Sequence, residues 1–176
     1  MRRLVVLLGG LLVLGTANLA IWQKEDLLAN GRAVLLPLAP VDPRSLMQGD
    51  YMALRFQLAS DAFGWTGARW SSGSRKDMLH DGFLVVTVDG DGVAKFRRID
   101  DGKPLAADEV RIRFRVRNGE PKIGTNAFFF QEGHARYYER ARFGEIRLAP
   151  DGDLLLTALR GEERQRLGPA QSAEKD

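Results

Sequence analysis

From Leu4 to Trp22 the chain carries no charged side chain, reading LVVLLGGLLVLGTANLAIW between Arg2-Arg3 and Gln23-Lys24-Glu25-Asp26. A helix rising about 1.5 Å per residue needs about 20 such residues to cross a bilayer. The run therefore predicts a membrane anchor over residues 1–23, with Leu4, Leu8, Leu11, Leu14 and Leu19 facing lipid and Trp22 at the far interface. Under the positive-inside rule, Arg2 and Arg3 hold the N-terminus in the cytoplasm and send the chain after Gln23 across. The alternative is a cleaved leader, since Gly15-Thr16-Ala17 offers small residues to a peptidase; against it, apolar character continues through Leu19, Ala20, Ile21 and Trp22. Both readings put residues 24–160 in an extracytoplasmic domain, periplasmic or outside, and the anchor reading makes the chain a single-pass protein of the cytoplasmic (inner) membrane. Residues 161–176 are polar and are expected to fray.

After the anchor the pattern is that of strands. Val110, Ile112, Phe114 and Val116 alternate with Arg111, Arg113, Arg115 and Arg117, the period of a half-buried strand, and Asn118-Gly119 predicts a type I′ turn back. GFLVVTV and VAKFRRI flank DGDG as a second hairpin, and EIRL and LLLTAL flank APDGD as a third. Ala33–Leu38 reads as a strand that Pro37 confines to an edge or bulge. Met52, Leu54, Phe56 and Leu58 alternate with Tyr51, Ala53, Arg55 and Gln57 as another strand. Residues 60–81 read as a long loop with one helical turn, pinned by Trp65 and Trp70, and residues 132–144 as a short helix capped by Gly144. The expected fold is mainly β: an N-terminal transmembrane helix followed by an antiparallel β barrel or sandwich with one short helix.

Composition narrows the chemistry. The chain has 26 Lys+Arg against 23 Asp+Glu, a net charge of +3 that makes no electrostatic case for nucleic acid. It has no cysteine and only His80 and His134, so a metal site would have to borrow carboxylates and none is expected. DGDG at 89–92 lacks the later ligands of a calcium loop and reads as a turn. No cofactor motif is present. The four arginines of one strand face are expected to pair with acidic residues on neighbouring strands, with anionic headgroups as the other reading.

MQGDYMALRF, residues 47–56, breaks at a Gly-Asp pair and starts a strand at once. Asp50 is expected to close the turn by accepting backbone N–H groups. It could also join Arg55, Glu139, Arg142 and Glu145 in a polar site or ion-pair lock. GDYMALRF resembles the signature of the GDYXXLXY family of bacterial membrane-anchored proteins: Gly49, Asp50, Tyr51 and Leu54 match, and Phe56 stands in place of a second Tyr. YYERARFGEIRLAPDGDLLLTALRG is similar to that family's C-terminal half. The resemblance implies a single-pass membrane protein whose extracytoplasmic domain works with multi-spanning membrane proteins.

PRSLMQGD and the later RRI are also similar to segments of signal-peptidase-like enzymes. The nucleophile's place falls near Val41 and the lysine's on Arg97, which cannot deprotonate to act as a base, leaving only Ser45 with Lys95 as a substitute pair. Residues 128–130, FFF, with Tyr137 and Tyr138 could line a lipid or ligand pocket, but core is the simpler role. The function expected is thus a non-catalytic interaction module at the bilayer, an accessory subunit of a membrane assembly. An envelope hydrolase or a small lipid carrier is the alternative.

Overall fold

The computed structural model describes residues 2–39, 47–48, 51–64 and 80–169, with backbone alone at 2–7 and 47–48. Gly49, Asp50, Ser45, Val41, Trp65 and Trp70 lie outside the described residues, as do the side chain of Leu4 and the end of the tail from 170. The chain is mainly β and its strands pair antiparallel, as the alternation predicts.

Helix α1 (Arg2–Asn30) is continuous. Leu8, Leu11, Leu14, Leu19 and Trp22 are 54–71% exposed, and every residue from 8 to 26 is exposed. Among the described residues no helix is long and apolar enough to cross a membrane. The uncharged run of sequence starts earlier, at Leu4, where only backbone is described. Within the run, Thr16 Oγ1 and Asn18 Nδ2 donate to the carbonyls of Val13 and Leu14 at 2.9 and 2.8 Å, so both side chains are satisfied within their own helix.

Gly31 alone separates α1 from strand β1 (Arg32–Pro37). Its N–H donates to Leu27 O at 2.9 Å, and its carbonyl accepts from Arg147 at 3.1 Å. A Cβ at Gly31 would lie 2.4 Å from Leu27 O and 3.0 Å from Arg147 Cβ, so glycine is what lets helix and sheet meet this closely. Leu27, the one buried side chain among those described in α1, seals the joint.

The remaining elements are β2 (Met47–Gln48), β3 (Tyr51–Ala53), α2 (Gln57–Phe63), β4 (Gly82–Val88), β5 (Ala94–Ile99), β6 (Glu109–Arg117), β7 (Glu120–Ile123), β8 (Ala127–Phe129), a 3-10 turn (Ala135–Tyr137), β9 (Phe143–Leu148) and β10 (Leu154–Arg160). They form three sheets in the orders β1-β9-β10, β2-β3-β8 and β5-β4-β6-β7. Pro37 sits on edge strand β1, where its missing N–H costs no ladder bond. Cross-links join the sheets: Leu35 N–H donates to Gly92 O and Ala39 N–H to Arg55 O, both at 2.8 Å. One core lies between them, with Val34 and Leu36 of β1, Leu84 and Val86 of β4, Ile112 of β6, Ile146 of β9 and Leu159 of β10 all sealed from water. Each such side chain contributes about 1.5–3 kcal/mol on burial.

Four expectations need correction. The strand read over 51–58 ends at Ala53, and α2 begins at Gln57, closed by Gly64 in the left-handed conformation (φ 65°) with its N–H on Ser60 O. Met52, Leu54, Phe56 and Leu58 are nonetheless all buried, so the two-residue period reports their side and not their backbone. The helix read over 132–144 is a single 3-10 turn, because Tyr138 leaves helical register to meet Phe128 and Phe130 at ring distances of 5.1 and 5.3 Å. Gly144 is no cap: it lies in β9, where a Cβ would come 3.0 Å from both Leu156 and Phe56. The start of the tail does not fray, since Leu167 N–H donates to Leu159 O at 2.9 Å and Gly161 N–H to Gln165 O.

Candidate functional site: a cationic groove beside the first helix

Strand β6 keeps its alternation in three dimensions. Ile112 and Phe114 face the core and the arginines face out, and Asn118 (φ 56°) with Gly119 (φ 75°) makes the turn into β7. β7 covers β6 only from Phe114 onward. The Arg113 N–H is therefore left over, and it donates to Gly152 O at 2.9 Å in the β9–β10 turn. Gly152 holds φ 85°, and a Cβ there would come 3.0 Å from the Phe83 ring and 3.3 Å from Arg111 O, so only glycine lets the turn dock. That docking sets Asp153 and the start of β10 against the arginine row.

The result is a groove of about 620 Å³ between the β6–β7 hairpin, β8 and β10. Arg113, Arg115, Arg117 and Lys122 line one side, and Lys24 of α1 reaches it. Phe128, Phe129, Leu154, Leu155 and Leu156 supply the apolar lining, with Phe129 74% exposed. Asp153 is the one acid in the lining against five bases. It meets Arg113 at 3.2 Å and Arg115 at 3.9 Å. Arg113 also sits over the Phe83 ring at 5.3 Å, and its Nε is buried without a hydrogen-bond partner.

At the groove's far end Asp81 Oδ1 accepts from Val116 N–H at 2.6 Å and from Arg117 at 3.3 Å. The backbone bond from Val116 chiefly holds this carboxyl below its ordinary value of 3.8, with Arg117 and Arg115 adding to the effect. The arginine face thus pairs with acids of neighbouring segments: Arg111 with Asp100 at 2.7 Å, Arg113 with Asp153, and Arg117 with Asp81.

The signature residues are structural where they are described. Tyr51 pairs with Phe129 across β3 and β8, rings 5.8 Å apart, Leu54 is buried, and Phe56 packs beneath Gly144. Arg55, Glu139 and Arg142 are exposed and form no ion pair with another described residue, while Glu145 pairs with Arg160 at 2.5 Å. The described members of the expected lock therefore do not meet one another. Lys95 is engaged by Asp89 at 3.2 Å, and Asp89 Oδ1 closes the DGDG turn on Asp91 N–H and Val93 N–H. The Val93 bond is the main reason Asp89 is also held below 3.8. His80 is exposed, and His134 lies edge-on to Tyr137 at 5.4 Å. Among the described residues no cluster of three His, Asp or Glu could hold a metal.

The matched region runs from the middle of α1 to the last strand: residues 13–159 fit the GDYXXLXY protein family. The chain belongs to the GDYXXLXY family. No curated protein and no solved structure matches it. In this GDYXXLXY protein the groove is assembled from β6, β7, β8, β10 and α1; the alternation of β6 and the pocket reading of residues 128–130, of which Phe128 and Phe129 line the groove, were its signals in sequence. The Gly in the APDGD turn was the missed signal, since it marks where another backbone approaches.

Proposed function

We propose that this GDYXXLXY protein is a single-pass, membrane-anchored interaction module whose β domain stands outside the cytoplasm as an accessory subunit of a membrane protein assembly. The observation that carries the reading is the surface of α1. From Leu8 to Trp22 it is uncharged, mostly apolar and exposed, a surface that water penalises and a bilayer or an apolar partner accepts. The internal bonds of Thr16 and Asn18 suit an environment with no water to bond. Arg2 and Arg3 before the run favour a cytoplasmic N-terminus. The Gly31 joint supports a domain held against the surface, since α1 ends within the domain and no linker intervenes. A multi-spanning protein is the partner this arrangement suits.

Alkaline extraction of native membranes, followed by in-membrane crosslinking and mass spectrometry, tests it. The full chain should stay in the pellet and capture one multi-spanning protein in near-equal amount. Release into the soluble fraction would remove the anchor. Capture of only scattered exported polypeptides would remove the accessory role.

A further inference from the structure

We propose that the groove between the β6–β7 hairpin, β8 and β10 binds the phosphate headgroup of an anionic phospholipid in the leaflet where α1 emerges; this rests on α1 spanning the bilayer. The first support is unbalanced charge: Arg113 and Arg117 have Asp153 and Asp81, but Arg115 has only the 3.9 Å contact to Asp153, and Lys122 and Lys24 form no ion pair among the described residues. Arg115 stands directly across from Lys122 in the β6–β7 register, and like charges in that position destabilise a sheet unless an anion lies between them. A phosphate there gains charge-assisted bonds from arginine and gives the row its missing counter-charge.

The second support is height. Lys24 follows Trp22 by two residues, about 3 Å of helix rise, and the headgroup layer is roughly 5–8 Å deep on each side of the hydrocarbon. With Trp22 at the interface, Lys24 and the groove it borders stand level with lipid phosphates. The third support is the apolar lining. Phe129 lies 74% exposed beside Leu154, Leu155 and Leu156, which a free inorganic anion would not cover and the glycerol and upper acyl carbons of a lipid would.

Full-length protein, delipidated in mild detergent, is titrated in native mass spectrometry with phosphatidylglycerol, phosphatidylcholine and inorganic phosphate. One phosphatidylglycerol should bind at least tenfold more tightly than phosphatidylcholine. Arg115→Gln with Lys122→Gln should weaken it about 25-fold, about fivefold per cation removed. Lys103→Gln, which removes one cation at an exposed site away from the groove as Arg115→Gln does within it, should have no effect. Phe129→Ala should weaken the lipid and leave any phosphate binding as it was. If the double variant misfolds by circular dichroism, Arg115→Gln alone carries the test with a fivefold loss. Equal affinity for the two lipids, or a preference that the groove variants leave intact, would overturn the proposal, and inorganic phosphate binding as tightly as the lipid would overturn the lipid as its source. Membrane retention under alkali without a lipid preference refutes the groove alone, and release with the preference intact refutes the anchor alone.

Discussion

Arg111, near the start of β6, bonds Asp100 at 2.7 Å, and that carboxylate is only 13% exposed and also takes Gly102 N–H. Arg98 on β5 joins the same cluster, reaching Asp101 at 2.8 Å and Glu109 at 3.3 Å. Arg115, four residues along β6, is 55% exposed, shares Asp153 with Arg113 at 3.9 Å, and looks across at Lys122. Alternation is identical at both ends of the strand. What differs is the neighbour that the topology supplies: an acid-rich loop after β5 at one end, and at the other a strand that sets Lys122 opposite Arg115. The first end is a closed electrostatic unit and the second holds cations in reserve.

Asp100→Ala should sharpen the contrast most. It strips Arg111, and Arg98 at 3.7 Å, of a mostly buried acceptor, and chemical denaturation should register a loss of about 2–3 kcal/mol; a loss below about 0.5 kcal/mol would mean that the closed end is ordinary surface charge. Acid probes the other end. Asp81 is held below 3.8 in the folded protein by Val116 N–H, so its contribution is present above that value and fades as pH falls through the depressed one. Melting temperature should drop as pH is lowered below about 4, and Asp81→Asn should flatten that limb while leaving the neutral range nearly level. An unchanged acid limb in Asp81→Asn would show that the Val116 contact carries no linkage. Arg115→Gln should move stability least, within about 0.5 kcal/mol and toward stabilisation, because it relieves the facing Lys122. A large loss there would erase the distinction between the two ends.

Much of the fold is legible wherever a rule of backbone geometry acts alone. The β6 alternation, the Asn118-Gly119 turn, the DGDG and APDGD hairpins and the edge position of Pro37 each follow from a few adjacent residues. Legibility fails where tertiary packing overrides local pattern. Phe56 and Leu58 keep the two-residue rhythm of burial although Gln57 starts a helix, since a short apolar run cannot tell the two backbones apart. Tyr138 breaks the helix-favouring run of 132–144 because Phe128 and Phe130 wait for it across the core. The groove belongs to this second kind. The Asn118-Gly119 hairpin sets Arg115 opposite Lys122, but it takes the approach of Gly152 to β6 and the docking of α1 to bring Asp153, the start of β10 and Lys24 to the same space.

The joint at Gly31 has a mechanical consequence. With one residue between helix and sheet, and with Leu27 and Arg147 clamping both sides of it, α1 behaves as the shaft of a key whose bit is the β1-β9-β10 sheet. Turning the shaft about its axis sweeps the loops of the domain through the same angle, so the azimuth at which the chain presents its groove is written into its own backbone.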